Sequence, residues 1–195
     1  MKAFKIAFAL SALGLSSITL AQAGTITING KIYDETCVLS GSDNATGQGD
    51  LVAVVLNTIP ASSFSLSQLS AGKKDFSVTL TKSDGTTACY STALATTLGP
   101  IVTLTATGNT GANLPNITTG TKSTSNPVAV QILAKQNSGD TSPDLVDYTE
   151  GQTKAPYDIT NNKFYYAAQY YATDSANLPV AQDVQAQVTY TITYP

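Results

Sequence analysis

Val184-Gln185-Ala186-Gln187-Val188-Thr189-Tyr190-Thr191-Ile192-Thr193-Tyr194 alternates without a break. On an extended backbone successive side chains point to opposite faces. Val184, Ala186, Val188, Tyr190, Ile192 and Tyr194 therefore share one face, and Gln185, Gln187, Thr189, Thr191 and Thr193 the other. The stretch reads as an amphipathic β-strand. A second such stretch lies near the other end, with Ile26, Ile28, Gly30 and Ile32 on one face and Thr25, Thr27, Asn29 and Lys31 on the other. The same period recurs between them, at Leu51 to Leu56, Phe76 to Thr81, Ile101 to Thr107, Pro127 to Ala134 and Phe164 to Ala172, and the first strand is expected to run on from Tyr33 through Cys37. Phe64 to Leu69 is open between a short edge strand and a turn. Ser42 to Asp50, Thr107 to Asn126 and Gln136 to Asn162 are rich in turn formers and read as loops. Helical periodicity is hard to find. About seven strands with no internal repeat describe one all-β domain, a sandwich of the immunoglobulin type.

Composition agrees. The 195 residues carry 29 Thr, 10 Lys and no Arg against 13 acidic groups, no His and no Trp, and only 12% of the residues are charged. Without His the commonest general base and metal ligand is missing, so serine and cysteine triads and histidine-ligated zinc sites are excluded. A hydrolase would need a buried carboxylate pair, to which nothing points. No enzyme activity and no cofactor is expected. A net charge of −3 with scattered lysines argues against nucleic acid, which needs a clustered basic face.

The chain opens on a basic Met1-Lys2-Ala3-Phe4-Lys5, followed by an apolar run from Ile6 to Leu20 and by Ala21-Gln22-Ala23, small at the two positions a signal peptidase reads. Residues 1–23 are expected to be a removed signal peptide, with cleavage before Gly24. The remaining 172 residues hold 8 Lys and 13 acids, a charge of −5. No second apolar stretch from 24 onward is long enough to span a bilayer, so no transmembrane anchor is expected. Two cysteines in an exported chain most simply form one disulfide. Cys37 and Cys89 would close a loop of 52 positions, worth about 4 kcal/mol on a chain-entropy estimate.

Together these stretches resemble the pilin subunits of chaperone-usher fimbriae, most closely the major shaft subunits of the type 1 kind. The anchors are Gly24 to Ile32 leading to Cys37, Phe76 to Leu80, Pro127 to Leu133, Tyr166 to Thr173, and the alternating C-terminal strand with Tyr194 next to last. What the resemblance implies is an incomplete immunoglobulin-like β-sandwich that lacks its final strand. Residues 24–36 would be a donor-strand extension, with Ile26, Ile28, Gly30 and Ile32 as the inserted side chains and Gly30 at the family's small-residue position. Residues 37–195 would be the pilin domain. Val184, Ala186, Val188, Tyr190, Ile192 and Tyr194 would line the acceptor groove and form the edge read by a chaperone. The implied partners are neighbouring pilins, a periplasmic chaperone and an outer-membrane usher, and the implied location is a fimbria on the bacterial surface, reached through the periplasm. Three departures stand out. Gln182 occupies the place of a usual Gly, the second Cys falls about six residues late with Ser83 at the expected place, and the extension before Cys37 is short.

The leading expectation is a structural subunit that polymerises by donor-strand exchange and supports adhesion. The alternatives are a minor adaptor of the same fibre and a self-contained secreted immunoglobulin-like binding module. Other residues read as incidental. Asp140, Asp144, Asp147 and Glu150 lack the spacing of a calcium loop, and the sequons Asn44-Ala45-Thr46 and Asn116-Ile117-Thr118 are expected from so many threonines. Tyr166, Ala168 and Tyr170 read as core packing before they read as a sugar platform.

Overall fold

A computed structural model describes residues 37–89, 99–106, 111–118, 128–149 and 154–193. All of them belong to one compact unit, Asp34–Pro195; the other unit, Met1–Tyr33, lies outside the described residues. The strands are β1 (Val38–Ser42), β2 (Ala45–Gln48), β3 (Leu51–Val54), β4 (Ser70–Thr81), β5 (Ile101–Thr105), β6 (Leu114–Pro115), β7 (Val128–Lys135), β8 (Asp144–Leu145), β9 (Lys163–Ala172) and β10 (Thr189–Thr193), with one short 3-10 turn at Ala61–Ser63. One sheet runs β3-β2-β1-β4-β9-β7-β6, with β8 sharing the outer edge of β7, and a second pairs β10 with β5. Every strand pair is antiparallel.

Among the described residues the expected strands from Leu51 onward are present at least in part, while the one expected from Thr25 to Tyr33 and on through Cys37 lies outside them but for Cys37, which is in no strand; three corrections follow. Ser42 to Asp50 is not a loop. It holds β2, because Asp43 (φ 43) and Asn44 (φ 72) both adopt the left-handed conformation that a two-residue hairpin turn needs. The Asp43 carboxylate ties this turn to the sheet, accepting from Ser77 Oγ at 2.7 Å and Lys163 Nζ at 2.6 Å. Gly49 (φ 60) turns β2 back into β3. The loops at Thr107 to Asn126 and Gln136 to Asn162 likewise contain β6 and β8, each only two residues long and so too short to show a period. Phe64 to Leu69 resolves as a turn in which Ser65 and Gln68 exchange both backbone hydrogen bonds at 3.0 Å.

β9 sits at the centre of the large sheet and is buried without a break from Phe164 to Ala168. Alternation fails there because residues after β8 cover both faces, Tyr157 meeting Phe164 on one and Asp158 accepting from the Tyr165 hydroxyl at 3.2 Å on the other. Val146 is fully buried and donates its N–H to Ile132, and the Tyr157 ring packs on Phe164 at 5.1 Å. The core reading of the tyrosine stretch holds. Tyr166 and Ala168 are buried and Tyr166 stacks on Phe76, while Tyr170 is half-buried and its hydroxyl donates to the Asn57 carbonyl. Gly72 (φ 69) places a bulge in β4, and a Cβ there would press on the Tyr170 ring at 3.0 Å. Two polar insertions in the sheet are satisfied. Gln169 donates to Gln131 and Gln131 to Asn113, both at 2.9 Å, and the buried Lys135 pairs with Asp75 and donates to the Ser138 carbonyl.

The disulfide joins Cys37 to Cys89, with Cα atoms 5.7 Å apart. It anchors the start of β1 to the turn after β4, where the Cys89 N–H donates to the Leu80 carbonyl. Replacing both cysteines by Ser should lower stability by about 2–5 kcal/mol, read as an earlier urea midpoint of the oxidised protein; coincident curves for the two proteins would refute the anchoring role.

Acid should act through the turns. Asp43, Asp84, Asp140, Asp147, Asp158 and Asp174 are all held below the ordinary carboxylate value of 3.8 by hydrogen bonds they accept; for Asp43 the largest comes from Lys163, and for Asp84 the bonds from Thr87 bring it to about 2. A depressed carboxylate stabilises above its unfolded pKa, and that contribution is lost as pH falls through the folded value. With no His in the chain, thermal stability should stay nearly flat from pH 8 to 5 and fall below about pH 4. A midpoint that drops between pH 7 and 6 would contradict this.

Candidate functional site

The C-terminal strand keeps its alternation in the folded chain. Val184, Ala186, Val188, Tyr190 and Ile192 are half-buried, and the odd positions from Asp183 to Thr193 are exposed. Tyr194 lies outside the described residues, as do Ile26, Ile28, Gly30 and Ile32. The face is fixed by register. Ile192 opposes Val102, which is 1% exposed, and Tyr190 opposes Leu104, so the even row looks into the sandwich, while Thr191 and Thr189 oppose Thr103 and Thr105 on the outer surface. On its other side β10 pairs with no strand among the described residues. An apolar row that is only half-buried thus runs beside an open ladder.

The strand is also shorter than its pattern. Only Thr189–Thr193 forms a ladder, although the sequence reads as one strand from Val184 to Tyr194. Asn116 accounts for the difference. Its side chain donates to the Asp183 carbonyl at 2.9 Å and accepts from the Gln185 N–H at 3.1 Å, and the neighbouring Ile117 N–H donates to the Gln185 carbonyl at 2.7 Å. A side-chain amide here does what a paired backbone would do, so the extended shape persists without a regular ladder.

At the opposite edge of the large sheet, β3 is the last strand. Val52, Val54 and Leu56 are half-buried, alternating with the exposed Leu51 and Val55, each 73% accessible. The β2–β3 hairpin touches the C-terminal strand directly: the Tyr190 hydroxyl donates to the Gly49 carbonyl at 2.7 Å, and the Gly49 N–H donates to the Leu39 carbonyl at 2.9 Å. Partial burial raises the Tyr190 hydroxyl above its ordinary pKa. This arrangement offers no acid–base pair. What it offers is backbone donors and acceptors along an edge, with apolar side chains beneath them, and such an edge accepts an added strand.

No family model matches the chain. A relative, the F17 fimbrial protein of Escherichia coli, is 30% identical over 192 residues, spanning 97% of this chain and 98% of its own length. This chain belongs to the family of fimbrial subunits. The fold has the same likeness. The crystal structure of the P pilus rod subunit PapA matches with a TM-score of 0.52 at 16% identity, over 89% of this chain and all of that one. The subunit is thus an immunoglobulin-like β-sandwich of the pilin kind.

Sequence reasoning placed the even row of this fimbrial subunit and missed what holds it. Asn116 was visible only as part of a sequon, and Gly49 and the β3 row lay in or beside a stretch read as loop. A glycine-containing tight turn at Gly49-Asp50 was the one available signal. The structure also accounts for two of the acidic residues: Asp140 accepts backbone N–H groups of Gln136 and Ser142, and Asp147 accepts those of Thr149.

If Asn116 holds the first half of the C-terminal strand, Asn116→Ala should remove its side-chain hydrogen bonds to the Asp183 carbonyl and to the Gln185 and Thr118 N–H groups and cost about 1–3 kcal/mol. Hydrogen exchange should then quicken at Gln185, with little change at Thr191. Unchanged exchange at Gln185 would remove Asn116 from this role.

Proposed function

We propose that the chain is a shaft subunit of a bacterial surface fimbria, polymerising by donor-strand exchange. The observation that carries the proposal is the half-buried row from Val184 to Ile192 beside an edge of β10 that pairs with no strand among the described residues. An edge of this kind leaves backbone hydrogen-bonding groups and apolar surface to be completed by another strand. The segment 24–32 has the matching pattern, with Ile26, Ile28, Gly30 and Ile32 on one face. In this reading residues 1–23 direct export and are removed, a periplasmic chaperone lends a strand to the edge, and at the outer-membrane usher residues 24–32 of the next copy replace it. By its place in the sequence pattern Tyr194 would continue the row. The chain performs no chemical step and needs no cofactor, and the finished fibre supports adhesion from outside the cell.

Support comes from the family membership, from the pilin-like fold, and from the fact that no helix among the described residues is long and apolar enough to cross a membrane. Assembly of many copies, each carrying its own donor segment, favours a shaft role over an adaptor. A copy number of one or two per purified fibre would overturn it.

A pair of substitutions separates donor from acceptor. Ile28→Asp should place an unpaired charge in an apolar groove at a cost of several kcal/mol, abolishing polymerisation while the subunit still binds its chaperone. Ile192→Asp should damage the acceptor edge itself, so that the subunit no longer forms a chaperone complex and is degraded. Pull-down of the chaperone and the yield of fibres measure both effects. Loss of the chaperone complex with Ile28→Asp as well would mean that the N-terminal strand folds into its own sandwich, and a stable, monodisperse monomer that ignores the chaperone would replace the fibre reading with a secreted binding module.

A further inference from the structure

The large sheet carries a polar pocket that includes no residue of β10. Ser77, Tyr165 and Lys135 stand in one row across β4, β9 and β7. Successive side chains point to opposite faces, so this row lies on the face opposite the Phe76–Tyr166 stack. Beside it, the left-handed turn at Asp43 and Asn44 and the loop at Ser138 enclose a cavity of about 150 Å³. The Lys135 side chain is only 3% accessible, whereas those of Asp75 and Asp43 are 54% and 59% accessible. A cation thus lies deep in the pocket with two carboxylates nearer its mouth.

These groups are only partly used. Asp43 accepts from Ser77 and Lys163 through Oδ2, Asp75 pairs with Lys135 through Oδ2, and the Asn44 amide donates to the Asp75 carbonyl at 2.8 Å. Lys135 gives two of its three N–H groups, one to Asp75 and one to the Ser138 carbonyl. The Oδ1 atoms of Asp43, Asp75 and Asn44 and one ammonium N–H therefore remain for a ligand. Charge then selects the ligand. Each carboxylate already has a lysine, so an anion would meet two carboxylates and a cation two lysines. A hydroxyl suits both signs, because it donates to a carboxylate while it accepts from an ammonium. Two hydroxyls on neighbouring carbons would use the carboxylates and Lys135 together. Drug-sized ligands occupy about 300–1,000 Å³; the smaller volume here fits one ring.

We propose that this pocket binds a single neutral sugar ring through vicinal hydroxyls, with Asp43, Asn44, Asp75 and Lys135 as its polar contacts. The site belongs to the folded subunit and does not depend on how copies join. Where copies do join into a fibre, each repeats it, and weak single contacts then act together.

The test is saturation-transfer NMR on the full-length mature protein, purified as fibres, with the methyl glycosides of glucose, galactose, mannose and N-acetylglucosamine as probes. At least one should bind saturably, with a Kd of about 1–10 mM. Tetrahydropyran, which has the ring without the hydroxyls, should give no saturable signal. Asn44→Gly keeps the left-handed turn, at φ 72, and removes one acceptor; it should weaken binding by about tenfold. Ser138→Trp sets a large side chain at the rim and should abolish binding. Neither change touches β10, so both variants should form fibres in wild-type yield. Loss of binding in either variant, with the thermal midpoint unchanged, supports the site. Saturable binding of none of the four glycosides, equal binding of tetrahydropyran, or wild-type affinity in both variants overturns it. If the chain proves to be a monomer that forms no fibre, the same titration on the monomer decides the pocket, so the fibre reading and the sugar site can fail separately.

Discussion

The edge of β10 that pairs with no strand among the described residues is the constraint around which the rest of the described structure is arranged. A strand with a ladder on one side and none on the other leaves N–H and C=O groups unpaired and lets water reach the side chains beneath. Natural sheets usually blunt such edges with charge, proline or bulges. Here the row beneath is Val184, Ala186, Val188, Tyr190 and Ile192, with no charged side chain among them. Keeping such an edge straight and accessible requires support from behind, and the structure supplies it from three places: β5 through its ladder, Asn116 through its side-chain amide, and the β2–β3 hairpin through Gly49.

Those supports are in turn fixed to the large sheet. The β1–β2–β3 meander is held at its first turn by Asp43, which gathers Ser77 and Lys163, and near its second by Gln48, which donates to the Ser83 carbonyl. The disulfide secures the start of β1 to the same turn region after β4. The central strand β9, buried on both faces, gives the assembly its rigidity. Its neighbours β4 and β7 pair with it over eight residues each. A mobile edge would lose its shape and with it any preference for one partner over another. On the donor-strand reading proposed above, that demand falls on the rigid part of the fold.

Much of the fold was legible in one dimension because β-structure writes itself in period two. The strands at β4, β5, β7, β9 and β10 were readable from alternation or from unbroken apolar runs bounded by turn formers, and the pairing of two cysteines followed from their number. β3 was read from Leu51 to Leu56, but β2, β6 and β8 are too short for a period to be judged, and β1 begins at Val38, where the first strand was expected to have ended. The ends of the C-terminal strand were misjudged for a related reason: alternation reports an extended backbone, and an extended backbone with its hydrogen bonds satisfied by Asn116 alternates as well as one in a ladder.

By itself, then, the sequence determined the all-β class, the apolar face of each long strand, and two amphipathic ends whose patterns match. These are local properties, set by the geometry of an extended chain and by which side chains avoid water. Only the tertiary structure decided which edge of β10 lacks a partner among the described residues, that Asn116 and Gly49 hold the strand, and that the Tyr190 hydroxyl reaches the β2–β3 hairpin. Those depend on contacts between residues 67 to 141 positions apart, and nothing in a period of two records which distant carbonyl a tyrosine hydroxyl will meet.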